Sequence, residues 1–278
     1  MTNHEYKIAI LLPTRGRDDA LERSVKSLFD LADNPDQVQV MLGFDTDDTE
    51  GISAFQESVQ PWLDKHGFSY TAMTFDPMGY VRLNEYVNAL AHKSDAEWLV
   101  FWNDDAYMET QGWDTVIASH TGEFKLLAFH THNDHPYSIF PIVPRAWLDL
   151  MGHLSPHQIS DAWLSQQAYM LDIWERIPVD VVHDRHDLTG NNEDDTYKNR
   201  VAYEGNPNDP RDFHHSGWTN FRLQECEKLA GYMKEQGIST AWWESIKTDN
   251  QDPWEKLREN DPHQQMKQFK MLNGMRIS

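Results

Sequence analysis

"EWLVFWNDDAYM", residues 97–108, drives a hydrophobic strand straight into acids. Trp98 to Trp102 are apolar and read as a buried strand, and no Gly or Pro separates them from Asn103, Asp104 and Asp105. Two adjacent carboxylates at the edge of a core repel each other. Partial burial strengthens that repulsion unless something cationic neutralises them. One reading is a solvated acidic turn. The other is a divalent cation held by oxygen ligands and shared with a phosphate.

The chain upstream repeats the pattern. "YKIAILLP" (6–13) is a strand ending at a proline, followed by "TRGR". "VQVMLGF" (38–44) is a strand that again runs into acids, "DTDDTE" (45–50). Between them, Leu21, Val25, Leu28, Phe29 and Ala32 fall on one helical face, with Asp18 or Asp19 as the expected cap. "FQESVQPWLDKHG" is a weaker helix and "SYTAMTF" (69–75) a strand. "MGYVRLNEYVNALAHK" is a helix with Leu83, Val87, Leu90 and Ala91 on one face. Strand and helix alternate throughout, which predicts an α/β sandwich around a mainly parallel sheet. Such sheets bind ligands beyond the carboxyl ends of their strands, where these acids stand.

Beyond residue 110 the pattern gives strands at 125–132 and 137–144, helices in "RAWLDLMG" and "SDAWLSQQAYMLDIW", and "VDVVHDRHD" (179–187). From about 188 the composition turns polar and irregular, a long surface loop. Helical stretches follow in "NFRLQECEKLAGYMKEQG" and "DPWEKLREN". The expected organisation is one domain over 1–187, with 188–278 as a loop and helical C-terminal extension packed on it.

Composition narrows the function. The formal charge is −21, from 45 acidic against 24 basic residues. That surface argues against nucleic acid and anionic membrane as partners, since both need basic patches. It does not exclude a small anion neutralised locally by a few arginines and a metal. Cys226 is the sole cysteine, which excludes intramolecular disulfides and cysteine-rich zinc sites. No apolar run reaches the length of a membrane span, and "MTNHEYK" has no signal-peptide character, so the expected setting is cytoplasmic.

The order of these pieces resembles the nucleotide-sugar-dependent glycosyltransferases of the GT-A fold, most closely their inverting, family-2-like branch. The resemblance spans roughly residues 6–187 and rests on spaced features: Pro13, Thr14 and Arg15 after the first strand; Asp45, Asp47 and Asp48 after the second; Arg82 and Asn84 on a helix; then "DAEWLVFWNDDAYM". "TQGW" (110–113) and the "IFPIVPRAWLDLMGHLSPHQISDAWLSQQA" stretch extend it. It implies a GT-A-like, Rossmann-type α/β/α sandwich and transfer of a hexose-like sugar from a nucleotide-diphosphate sugar to a hydroxyl acceptor. It further implies Mn2+ or Mg2+ at the Asp-x-Asp position, where Asn103 stands in place of the commoner Asp. Asp105 would then carry the metal with His183 in "VVHD", while Asn103 and Asp104 contact the sugar nucleotide. Pro13, Thr14, Arg15, Asp45 and Asp47 would line its nucleoside end. Asp161, after Ser160, would be the catalytic base.

The chemistry of these side chains fits those roles. Negative charge develops on the diphosphate as the glycosidic bond breaks, so a bound cation favours the transition state over the ground state. Hard oxygen ligands suit Mg2+ or Mn2+, and an imidazole tilts the choice toward Mn2+. A helix N-terminus keeps Asp161 ionised, as a base requires. Arg15, Arg17 and Arg82 are candidates to neutralise the pyrophosphate. Alternatives remain: Asp161 as a helix cap, Asp47 and Asp48 as a solvated turn, Arg82 as an exposed helix residue. His130, His132 and His135 in "HTHNDH" match a zinc site weakly and suit an acceptor pocket better. Trp242, Trp243 and Trp254 read as anchors for the tail helices rather than sugar platforms. As whole-protein alternatives, a nucleotidyltransferase would want a Gly-rich loop after the first strand, and "PTRGR" has one glycine. A non-catalytic carbohydrate-binding protein would have no need of paired acids at strand ends.

Overall fold

The computed structural model describes residues 4–131, 138–184 and 206–247. At its centre lies β1 (Tyr6–Thr14), flanked by β2 (Val38–Asp45) and β4 (Ala96–Phe101), both parallel to it. β3 (Ser69–Phe75) pairs parallel outside β2. On the other side come β7 (Pro141–Pro144), β6 (Leu126–Thr131), β8 (Trp174–His183) and β5 (Ala106–Met108), giving the order β3-β2-β1-β4-β7-β6-β8-β5. Parallel pairs outnumber antiparallel ones, which are confined to β4–β7, β7–β6 and β8–β5. For β6–β7 the cause is chain length: 132–140 is too short for the helical crossover that parallel pairing needs.

Successive residues of the central strands serve opposite cores. Ile8, Ile10 and Leu12 of β1, with Trp98 and Val100 of β4, pack against α1 (Asp18–Asp30) and the helix of Thr49–Ala54, Phe55–Val59 and Gln60–His66. Ala9 and Leu11, with Leu99 and Phe101, face α4 (Leu83–Lys93), α6 (Arg145–Met151) and α7 (Ser160–Leu171), where the Thr49–Ala54 and Gln60–His66 segments are counted α2 and α3 and Trp113–Ala118 is α5. The result is the expected sandwich. A strand buried on both faces reads as a continuous apolar run, as "IAILL" does.

Two further helices, α8 (Ser216–Glu235) and α9 (Ala241–Lys247), cover the outer side of α7. Cys226, Leu229, Met233, Trp243 and Ile246 join the same core as Ala9 and Leu11. Trp243 is thereby a core anchor, and Trp242 packs beside it half-buried. Almost all of α7 is buried, including Gln166 and Gln167, because helices and sheet enclose it. Trp254 and the expected helix at "DPWEKLREN" lie outside the described residues, as does most of the polar stretch after 188.

One expected cap differs. α1 begins at Asp18, and the position before it belongs to Arg17, which makes no capping bond. The Arg17 side chain is drawn instead to the acids at the end of β4.

Candidate active site

The acids of the opening stretch occupy a tight turn. Ala106 N donates to Asn103 O (3.1 Å), so the chain reverses over Asp104 and Asp105 and returns as β5. β5 pairs with β8 in a register that sets Ala106 opposite His183, and Asp184 N donates to Asp105 O (2.8 Å). Residues some eighty positions apart thus meet at the carboxyl edge of the sheet.

Asp104 and Asp105 are 7% and 3% exposed. Thr14 at the end of β1 donates its hydroxyl to Asp104 Oδ2 (2.8 Å). Arg17 Nη1 donates to Asp104 Oδ1 (2.9 Å) and to Asp105 Oδ2 (2.7 Å), one nitrogen bridging both acids. The remaining oxygen, Asp105 Oδ1, lies 3.2 Å from His183 Nε2 without hydrogen-bond alignment and is otherwise unpartnered. Asn103 Nδ2 stands 3.4 Å from the same imidazole nitrogen.

Electrostatics divide the pair. Burial pushes the Asp104 carboxyl up to about 6, against the pull of Arg17 and with a further push from Asp105. Burial would raise Asp105 too, but His183 and Arg17 outweigh it and hold its carboxyl below the usual range. Asp105 is the more firmly ionised of the two. It is also the one with a spare oxygen.

Those residues fit a divalent cation. Asp105 Oδ1 and His183 Nε2 are spaced like neighbouring ligands of an ion with bonds of about 2.1 Å. Both are buried side chains at the sheet edge. Two protein ligands leave most of the coordination shell to substrate phosphate oxygens and water, the usual arrangement for Mg2+ at nucleotide sites. Asp104 is not a third ligand here, since its oxygens go to Thr14 and Arg17. Among the described residues, His120, Glu123 and Glu175 form a closer three-residue cluster. It lies at the far end of β8 from His183, and Lys125 already bonds both of its acids.

The end of β2 supplies a second acidic group. Asp45, 5% exposed, accepts from Tyr86 Oη and from Arg15 Nη1 (2.6 Å). Arg15 also reaches exposed Asp47 through Nη1 (2.5 Å) and Nη2 (3.0 Å). Asp47 and then Asp45 keep the Arg15 guanidinium firmly protonated. Burial and the bond to Asp45 push the Tyr86 phenol up, so it remains a donor. Thr14 pairs with Phe44 in the β1–β2 ladder, placing Thr14 and Asp45 on one sheet edge; Pro13 is the residue before, opposite Gly43.

Tyr86 is the residue that local reading misses, and Asp48, read as part of the acidic cluster or a solvated turn, is buried. Asp48 is 9% exposed and accepts from Gly16 N (2.9 Å) and from Gly51 N (3.3 Å), so it caps α2 and closes the turn after β1. Gly16 takes φ +63° there, and a Cβ on Gly51 would lie 2.4 Å from Asp48 Oδ2. An acid just before a helix and three residues ahead of a glycine was the available signal. Nothing near Tyr86 in sequence points to Asp45.

Arg82 is exposed just before α4 and bonds Glu85 in the first turn of that helix (2.5 Å for both contacts). Asn84 is buried and donates to Ser155 O (3.4 Å); Asn88 donates to the same oxygen (2.8 Å). Both hold the segment that leads into α7. Asp161 is half-buried in the first turn of α7. α7 runs directly into the start of β8, whose far end carries His183, so the N-terminus of α7 points to the sheet's carboxyl edge. His130 is exposed on β6 and pairs with Asp180 (2.6 Å), while His132 and His135 lie outside the described residues.

This architecture has known counterparts. The mannosyltransferase PcManGT from Pyrobaculum calidifontis, in complex with GDP-Man and Mn2+, superposes with a TM-score of 0.52 at 10% identity, over 94% of this chain and 82% of its own. The fold is that of GT-A-like glycosyltransferases. The S. aureus TarS fragment 1–349 in complex with UDP-GlcNAc gives a TM-score of 0.56 at 11% identity, over 79% of this chain and 66% of that one. No protein-family model matches the sequence, and no curated protein does. The likeness is therefore one of fold.

Proposed function

We propose that this chain is a metal-dependent glycosyltransferase that moves a hexose from a nucleotide-diphosphate sugar to a hydroxyl acceptor with inversion. The observation that carries the reading is Asp105 Oδ1, a buried carboxylate oxygen without a hydrogen bond beside the His183 imidazole. It sits at the carboxyl edge of a sheet whose fold is shared with an enzyme captured with GDP-Man and Mn2+. Asp105 and His183 would hold Mn2+ or Mg2+, whose charge stabilises the diphosphate as it leaves. Asp45, Arg15 and Asp47 form the nucleoside end, with Tyr86 fixing the Asp45 carboxylate. Asp161 takes the proton from the acceptor hydroxyl. That oxygen bonds to the anomeric carbon while the bond to the nucleoside diphosphate breaks on the opposite face.

The surface charge of −21 leaves nucleic acid an unsuitable partner. No helix among the described residues is long and apolar enough to cross a membrane. A single buried cysteine suits a cytoplasmic setting. The test is release of nucleoside diphosphate from GDP-mannose, UDP-GlcNAc and related donors, with Mn2+, with Mg2+ and with chelator. Turnover that needs the cation supports the reading. Pyrophosphate release from a nucleoside triphosphate and a sugar phosphate would establish a nucleotidyltransferase instead, and binding of glycans with neither reaction a carbohydrate-binding protein.

A further inference from the structure

The guanidinium of Arg17 lies on the carboxylate to which the proposed function gives the metal. Its Nη1 is 2.7 Å from Asp105 Oδ2 and 2.9 Å from Asp104 Oδ1. The Arg17 side chain is 18% exposed and the two acids 4% and 9%, so the contact is largely shielded from solvent. Without a counter-charge, two adjacent buried acids would repel, and Arg17 provides it. A divalent cation arriving at Asp105 and His183 therefore meets a positive charge already seated on the same carboxylate. Like charges this close, in a site of low effective dielectric, oppose one another strongly.

Arg17 stands on a turn and is not sealed into the core. It occupies the position before α1, next to Gly16 with φ +63°, on a strand-to-helix turn at the sheet edge. An arginine fork bonds phosphate oxygens as readily as carboxylates. We propose that Arg17 is a displaceable counter-ion: the cation takes Asp105 as the guanidinium transfers to the donor's diphosphate. The proposal rests on the metal-dependent reading above. It makes metal and nucleotide binding mutually dependent. Each alone binds weakly, because a cation at Asp105 Oδ1 is repelled by the Arg17 charge on Oδ2 and the diphosphate must draw Arg17 from its acids. Together each removes the other's obstacle, and the coupling is reciprocal.

The experiment is calorimetric titration of the whole chain with Mn2+ alone, with GDP or UDP alone, and with Mn2+ at saturating nucleotide. In the wild type, nucleotide should tighten Mn2+ binding about tenfold or more. Arg17→Met should bind Mn2+ alone more tightly, on the order of 10–100-fold, the worth of a charged hydrogen bond at a buried carboxylate. In that variant nucleotide should tighten the metal clearly less than in the wild type, by no more than the phosphate oxygens contribute as ligands. Arg17→Gln, which keeps an N–H donor without charge, repeats the test if Arg17→Met does not fold. Equal Mn2+ affinity in wild type and variant, or no coupling in the wild type, overturns the counter-ion. If no protein binds Mn2+ with or without nucleotide, while circular dichroism shows it folded, the metal-dependent reading falls and the counter-ion with it.

Discussion

Acidification should loosen the start of α7 through one buried histidine. His157 is 1% exposed. Ile159 N donates to its Nδ1 (3.1 Å), which leaves Nε2 as the donor to Arg211 O (3.1 Å). These partners assign a neutral imidazole of fixed tautomer. A second proton at Nδ1 would face the Ile159 N–H, so protonation breaks the arrangement. Burial above all, against the help of the Arg211 carbonyl, pushes the imidazole from 6.5 down to about 4. Between those values the unfolded chain takes up a proton that the folded chain refuses. The contribution is therefore fully present above 6.5 and is lost as pH falls toward 4. The whole shift is worth about 3 kcal/mol, and about 2 kcal/mol of it is gone by pH 5. His157→Gln keeps a donor and an acceptor but does not titrate. Urea melts of both proteins at pH 7 and pH 5 isolate the effect, because Asp104, raised to about 6 and opposite in sign, titrates in both. Wild type should lose about 2 kcal/mol more than the variant over that interval. Equal losses would show that His157 does not hold this segment as a neutral ring.

Three substitutions probe the site itself. Asp105→Asn should abolish the rise in melting temperature that Mn2+ with nucleoside diphosphate gives the wild type, with the fold intact by circular dichroism. Asp161→Asn keeps size and capping ability but accepts no proton at neutral pH; kcat should fall roughly 10²–10⁴-fold with donor affinity nearly unchanged, and normal turnover would leave Asp161 a helix cap. Tyr86→Phe removes the donor to Asp45 and the acceptor of Met78 N; it should cost about 1–3 kcal/mol in a urea melt and weaken nucleoside diphosphate binding in the same titration.

The sequence alone determined the elements and the edge at which chemistry gathers. Apolar runs that end in acids, at Asp45 and at Asp104 and Asp105, placed the carboxylates at strand ends because a strand's hydrophobic pattern is local and its termination visible. Helical spacing identified α1, α4 and α7 for the same reason. The short strand β5 escaped notice because three residues carry no period. The tertiary structure decided which charges meet. Arg17 reads as a candidate for the pyrophosphate and Thr14 as part of the nucleoside end, yet both close on Asp104, and His183 reaches Asp105 only through the β5–β8 register. Arg82, equally basic in sequence, turns to Glu85 beside it. Partner choice depends on which strands are neighbours and in what register, and those are properties of packing between distant segments. Side chains such as Tyr86 and His157 carry no local mark of their role, since burial and a partner dozens of residues away create it.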